Sequence, residues 1–111
     1  MRTFLGIEIG GTKLQLVVGD EHARILERFR FIVDPEQGAK GIKKQMRDAM
    51  DKIMLHSVAG IGIGFGGPVD HQTGKILRSY QVPGWGEFVI QDWLETLTGI
   101  PVWIDNDANV A

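Results

Sequence analysis

Apolar residues along this chain recur first with a period of two and then with a period close to 3.6. Phe4, Leu5, Ile7 and Ile9 form a nearly continuous apolar run, the pattern of a strand covered on both faces. Leu14, Leu16 and Val18 then alternate with Lys13, Gln15 and Val17, which predicts a strand with one buried and one open face. After a short turn at His22-Ala23, Phe29, Phe31 and Val33 alternate with Arg28, Arg30 and Ile32. Three consecutive antiparallel strands are therefore predicted to open the domain. The period changes at Ile42, Met46, Ala49, Met50 and Ile53, which fall on one stripe of an amphipathic helix. Asp34-Pro35-Glu36-Gln37 supplies its start signature, with Asp as N-cap, Pro at the first helical position and Gln three residues after the cap. Gly38 and Gly41 weaken that first turn.

Val58 to Phe65 is a short apolar run after a helix, which predicts a strand returning to the sheet. Its alternating glycines leave one face bare, so another group is expected to pack closely there. Gly66-Gly67-Pro68-Val69-Asp70 reads as a turn, His71-Gln72-Thr73-Gly74 as a second polar turn holding a solvated histidine, and Lys75-Ile76-Leu77 as a short strand. Val82 to Gly86 is a proline-glycine bend. Glu87 to Thr98 has helical periodicity through Phe88, Ile90, Trp93, Leu94 and Leu97, and Gly99 with Pro101 stops it. Pro101 to Ile104 is the last strand, and a further helix is expected to begin near Asp107. The order β-β-β-α-β-α-β-α, with a glycine turn in the first hairpin and a carboxylate after the last strand, points to an α/β, ribonuclease-H-like, actin-type ATPase lobe with a mixed sheet flanked by helices.

Composition narrows the function classes. A length of 111 residues suits one compact domain, and 43% hydrophobic with 23% charged residues is the make-up of an ordinary soluble protein. The net charge of −2 and the lack of a basic stripe give no case for nucleic acid or an anionic membrane. Lys43, Lys44 and Arg47 read as the solvated face of a helix. With no run of transmembrane length and a strand starting directly after Met1, a cytoplasmic address is expected. The absence of cysteine rules out disulfides and thiolate metal sites in these residues.

Chemistry is expected where glycine clusters. At Gly10-Gly11-Thr12-Lys13 the backbone can turn sharply and admit a ligand where a Cβ would block it. Successive N–H groups, a hydroxyl and an ammonium could converge there on phosphate oxygens. A Gly-Gly turn is also a common hairpin solution. Glu8, a carboxylate in an otherwise apolar strand, would need a partner, and a hydrated metal ion on a phosphate would supply one. Asp105-Asn106-Asp107-Ala108-Asn109 holds four side chains able to cap a helix, although capping needs one. Two carboxylates and two amides at a strand end suit recognition of a polyol and removal of a hydroxyl proton.

Together, Glu8 to Lys13, Gly62 to Asp70, Val82-Pro83-Gly84-Trp85 and Asp105 to Asn109 resemble, in order and spacing, the N-terminal lobe of ROK-family sugar kinases of the glucokinase type. The resemblance implies transfer of the γ-phosphoryl group of ATP, with Mg²⁺, to a hexose or amino-hexose hydroxyl. It implies Asp107 as the general base, Asn106 on neighbouring sugar hydroxyls, Gly66 and Gly67 as pocket wall, and Gly10, Gly11, Thr12 and Lys13 facing the transferred phosphate. Glu8 would stand toward Mg²⁺, one methylene longer than the family's usual Asp. Gly66 replaces a common Pro, and Gln81 a common Asn. Polyphosphate is an alternative donor in such a scheme. The family's Glu-x-Gly-His sugar motif, its structural zinc motif and its adenine-binding lobe are absent from these residues, so residues 1–111 are expected to be one lobe of a longer, dimeric enzyme and inactive alone. A ROK-type transcriptional regulator or a non-catalytic sugar-binding module are the alternatives. The regulators carry a winged helix-turn-helix before the first strand, and this chain reaches that strand two residues after Met1.

Overall fold

A computed structural model of the chain describes residues 2–53, 57–66, 69–70, 75–76 and 89–106. The elements run β1 (Thr3–Ile9), β2 (Lys13–Asp20), β3 (Ile25–Ile32), α1 (Gly38–Met50), β4 (Val58–Phe65), β5 (Val69–Asp70), β6 (Lys75–Ile76), α2 (Ile90–Thr98) and β7 (Val102–Asn106). Five strands form one sheet in the order β3-β2-β1-β4-β7. β1 to β3 pair antiparallel, while β4 joins β1 and β7 joins β4 in parallel. The mixed sheet and three opening antiparallel strands match the sequence expectation. The final helix expected near Asp107 lies outside the described residues, as do the turn at His71 to Gly74 and the bend at Val82 to Gly86.

The crossovers β3-α1-β4 and β4-α2-β7 step in the same direction along the sheet. Right-handed crossovers of that kind place both helices on one face. On that face Leu5, Ile7, Ile9, Leu14, Leu16, Ile61, Ile63 and Ile104 are buried, and the predicted helix stripe Ile42, Met46, Ala49, Met50 and Ile53 is buried in the same cluster. α2 contributes Ile90 and Leu94, with Trp93 packed against the margin. Leu97, expected on the buried stripe, is instead 44% exposed. Truncating a central side chain such as Leu16 to Ala removes about 2–5 kcal/mol of such packing.

Among the described residues the opposite face is uncovered, which corrects the expectation of a first strand buried on both sides. Phe4, Gly6 and Glu8 are exposed and alternate strictly with buried Thr3, Leu5, Ile7 and Ile9. The close packing expected against the β4 glycines occurs at Gly60, where an added Cβ would lie 2.8 Å from Trp103 Cζ3. At Gly62 nothing approaches within 4 Å.

Three boundaries differ from the sequence reading. Asp34 does not cap α1: its Oδ1 accepts the Glu36 N–H at 3.0 Å, closing a separate turn over 35–37. Gly38, at φ 64, then breaks continuity, and the helix begins there. Val69–Asp70, read as part of a turn, pairs antiparallel with Lys75–Ile76. β7 continues through Asp105 and Asn106 because the parallel register with Gly64 and Phe65 carries it on. The stop at Gly99 holds, with φ 71 and its N–H donating to Glu95 O at 2.7 Å. A side chain in that conformation would cost about 1–2 kcal/mol.

Asp20, not singled out from sequence, is buried at the β2-β3 turn. Oδ1 accepts the N–H groups of His22 and Arg24, each at 2.9 Å, and Oδ2 accepts Arg24 Nε–H at 2.7 Å. These bonds hold Ala23 at φ 63, a conformation a residue with a Cβ otherwise avoids. The Arg24 N–H holds the carboxyl below its ordinary 3.8, aided by the Arg24 side chain and the His22 N–H and opposed by burial. A depressed folded pKa gives stability that is complete above the unfolded value and lost as pH falls through the folded one. The stability difference between the native chain and Asp20→Asn, followed by urea unfolding, is therefore expected to be constant above about pH 5 and to shrink below 3.8. A difference that persists unchanged to pH 2 would show that the charge is irrelevant to the turn.

Candidate active site

β1 is central because it is paired on both sides, and its C-terminal end carries the first glycine turn. The Gly10 N–H donates to Lys13 O at 3.0 Å, closing the hairpin. Two further backbone bonds tether it: the Val33 N–H donates to Thr12 O at 2.8 Å, and the Gly66 N–H donates to Ile9 O at 3.0 Å. The first fixes the turn to the end of β3. The second draws the start of the other glycine turn beside it. Parallel register completes the edge, since Glu8, Gly64 and Asp105 stand in one row and Ile9, Phe65 and Asn106 in the next.

The structure thus brings Glu8, Gly10, Gly11, Thr12, Lys13, Gly66 and Asn106 to one edge of the sheet. Gly67 and Asp107 lie outside the described residues. Glu8 is exposed on the uncovered face, so it is not the embedded carboxylate expected from the sequence, and solvation removes the need for a buried partner. A cavity of about 210 Å³ lies against Glu8, Ile9, Gly10, Thr12, Lys13 and Gln15.

The backbone of the turn separates the two readings of Gly10-Gly11. Among the described residues, positive φ occurs at Ala23, Gly38 and Gly99 and not at Gly10 or Gly11. The primed hairpin turns that select Gly-Gly require positive φ, so the hairpin does not demand glycine here. An added Cβ on Gly10 would lie 3.4 Å from Lys13 O, the near edge of ordinary contact. Gly10 itself borders the cavity beside the turn.

The donor set fits a phosphate and a hydrated cation. Among the described residues no cluster of three or more His, Cys, Asp or Glu side chains forms, and the Glu8 side chain makes no hydrogen bond or ion pair. A single carboxylate beside a turn of backbone N–H groups, a hydroxyl and an ammonium is compatible with the sparse protein contribution that Mg²⁺ accepts when water and phosphate oxygens supply most of its ligands. Sequence reasoning did not single out Gln15 and Arg30, although the alternation put both on the non-core face. Arg30 Nε donates to Gln15 Oε1 at 3.0 Å. Hairpin register, counted from the turns, was the available signal.

Sheet order, crossovers and a glycine turn at the end of the central strand define a lobe of the actin-like ATPase fold. Residues 4–111 match the ROK family, and the chain belongs to it. It is 30% identical to a glucokinase of Halalkalibacterium halodurans over 99% of this chain and 35% of that protein. A beta-glucoside kinase of Klebsiella pneumoniae is 32% identical over 92% of this chain and 33% of its own length. The crystal structure of a ROK family glucokinase from Streptomyces griseus, in complex with glucose and AMPPNP, superposes with a TM-score of 0.82 at 34% identity, covering 96% of this chain and 34% of that one. The chain spans about a third of the length of the curated relatives it matches.

Because the turn backbone tolerates a side chain, Gly10→Ala is expected to change the unfolding free energy by less than about 1 kcal/mol. Urea denaturation followed by circular dichroism measures this. A loss above about 2 kcal/mol would mean that the hairpin itself requires the glycine.

Proposed function

We propose that this chain is the N-terminal lobe of a sugar kinase that transfers the γ-phosphoryl group of ATP to a hydroxyl of a hexose or amino-hexose. The observation that carries this reading is the Gly66 N–H to Ile9 O bond, which holds Gly66 beside the first glycine turn at the edge where β7 delivers Asn106. Family membership and the kinase relatives support it. Phosphoryl transfer asks little covalent chemistry of the protein and depends on positioning and charge neutralisation, which is what backbone amides, a hydroxyl and an ammonium at one turn can supply.

In this reading the N–H groups of the Gly10-Gly11-Thr12 turn, the Thr12 hydroxyl and the Lys13 ammonium hold the transferred phosphate. Gly66 and Gly67 form the wall against which the sugar rests. Asn106 bonds neighbouring sugar hydroxyls, and Asp107, the next residue, accepts the proton of the attacking hydroxyl. Glu8, in the row below the turn, would hold Mg²⁺, and the ion would supply neutralisation of the phosphate charge. The nucleotide base and the remaining sugar contacts belong to the rest of the longer protein, which is a soluble cytoplasmic dimer in this reading. Among the described residues, no helix is long and apolar enough to cross a membrane.

A coupled assay of the full-length protein with ATP over a panel of hexoses and amino-hexoses tests the assignment. Asp107→Asn is expected to lower kcat by about 10²–10⁴, the usual contribution of a general base, with little change in the KM for sugar. Equal rates for the two proteins would remove Asp107 from the base role.

A further inference from the structure

Glu8, Gln15 and Arg30 occupy one row across β1, β2 and β3 on the uncovered face. Glu8 and Arg30 are two strands apart, ~10 Å between backbones, a gap that a glutamate and an arginine could close by extending toward each other. They do not pair. Gln15, between them, accepts Arg30 Nε–H at 3.0 Å. That bond uses the donor nearest the stem and leaves both terminal amino groups of the guanidinium without a partner among the described residues. A guanidinium with its terminal fork free is set up for bidentate contact with an oxyanion.

The surrounding space leads from this fork to the glycine turn. A cavity of about 490 Å³ is lined by Lys13, Leu14, Gln15, Arg30, Phe31 and Ile32. It shares Lys13 and Gln15 with the smaller cavity at Glu8, Gly10 and Thr12. Arg30 stands one strand across from Lys13 and two residues along, ~5 Å and ~7 Å respectively. Lys13, Arg28 and Arg30 all face this side of β2 and β3 by register, so the groove is cationic away from Glu8. A single phosphate needs only the turn. A second cationic group further along the same groove suits an anion longer than one phosphate.

We propose that Arg30, aimed by Gln15, is a donor-binding residue of this site that takes a non-transferred phosphate of a phosphate chain whose terminal group lies at the Gly10 to Lys13 turn. The inference rests on the sugar-kinase reading above and adds to it a residue and a direction for the chain. A nucleoside triphosphate and inorganic polyphosphate share that chemistry. Gln15 has a second role in the same arrangement, since without it Arg30 is free to fall onto Glu8 and neutralise it.

The test is calorimetric binding of inorganic tripolyphosphate and, separately, AMPPNP to the full-length protein and to its Arg30→Gln, Arg30→Lys, Gln15→Leu, Arg30→Gln/Gln15→Leu and Lys13→Gln variants. Arg30→Gln is expected to weaken binding by about tenfold to a hundredfold, as loss of a charge-assisted contact does. Arg30→Lys should recover part of this, and Gln15→Leu should weaken binding in the native background but add nothing to Arg30→Gln. Loss with both ligands assigns Arg30 to the shared phosphate chain. Loss with one alone assigns it to that donor. If Lys13→Gln weakens binding and Arg30→Gln does not, Arg30 is no part of the site and the sugar-kinase reading stands without it. If neither substitution changes binding, the phosphate turn itself is misassigned and this inference falls with it.

Discussion

The hydrogen bond from the Gly66 N–H to Ile9 O is the constraint on which the candidate site depends. Parallel pairing of β4 with β1 aligns the strands, but alignment alone would leave the loops at their ends free to diverge. This bond continues the pairing one residue past β4 and fixes Gly66 to the strand that ends in the first glycine turn. The Val33 N–H to Thr12 O bond does the same from the β3 side. A loop with glycines at its tip is therefore held from both flanks by backbone groups, and such bonds do not depend on side-chain identity. The turn can be rigid in position and open above.

The two faces of the sheet are used differently. Both crossover helices occupy one face and build a continuous aliphatic core there. The other carries Phe4, Glu8, Gln15, Arg30 and Trp103, a mixture of charge, amide and aromatic surface that a core would not tolerate. The period-two alternation of β1 and β2 thus divides packing from chemistry. Changing Leu16 acts on the core, whereas changing Gln15 acts on the uncovered face.

Much of this was legible in the sequence because it follows from periodicity. The stripe from Ile42 to Ile53 identified α1 and its buried face, alternation identified β2 and β3, and a nearly continuous apolar run identified β1 though not its open face. Gly99 was readable as a helix stop because a left-handed residue there favours glycine. Other features were decided by partners distant in sequence. Asp105 and Asn106 read as helix-cap candidates just beyond the last strand, yet β4 holds them in that strand. Asp34 had the composition of a helix cap, but the left-handed Gly38 assigned it to a separate turn. Asp20 gave no signal beyond a polar residue near a turn, and only its burial with three hydrogen bonds set it apart. The turn residues and Asn106, which the structure brings to one edge of the sheet, were picked out as a candidate site from composition and motif. Gln15 and Arg30 needed the register of a hairpin whose turn lengths the sequence left open.

The central claim is that the first glycine turn is one half of a phosphoryl-transfer site, opened by its glycines toward a phosphate and positioned by Gly66. A crystal structure of the full-length protein with a hexose and a non-hydrolysable ATP analogue tests it most directly. The account predicts the terminal phosphate within hydrogen-bond distance of the Thr12 hydroxyl and the backbone N–H groups of the Gly10 to Thr12 turn, with the Gly66 to Ile9 bond intact. A nucleotide bound with its phosphates away from this turn would contradict it.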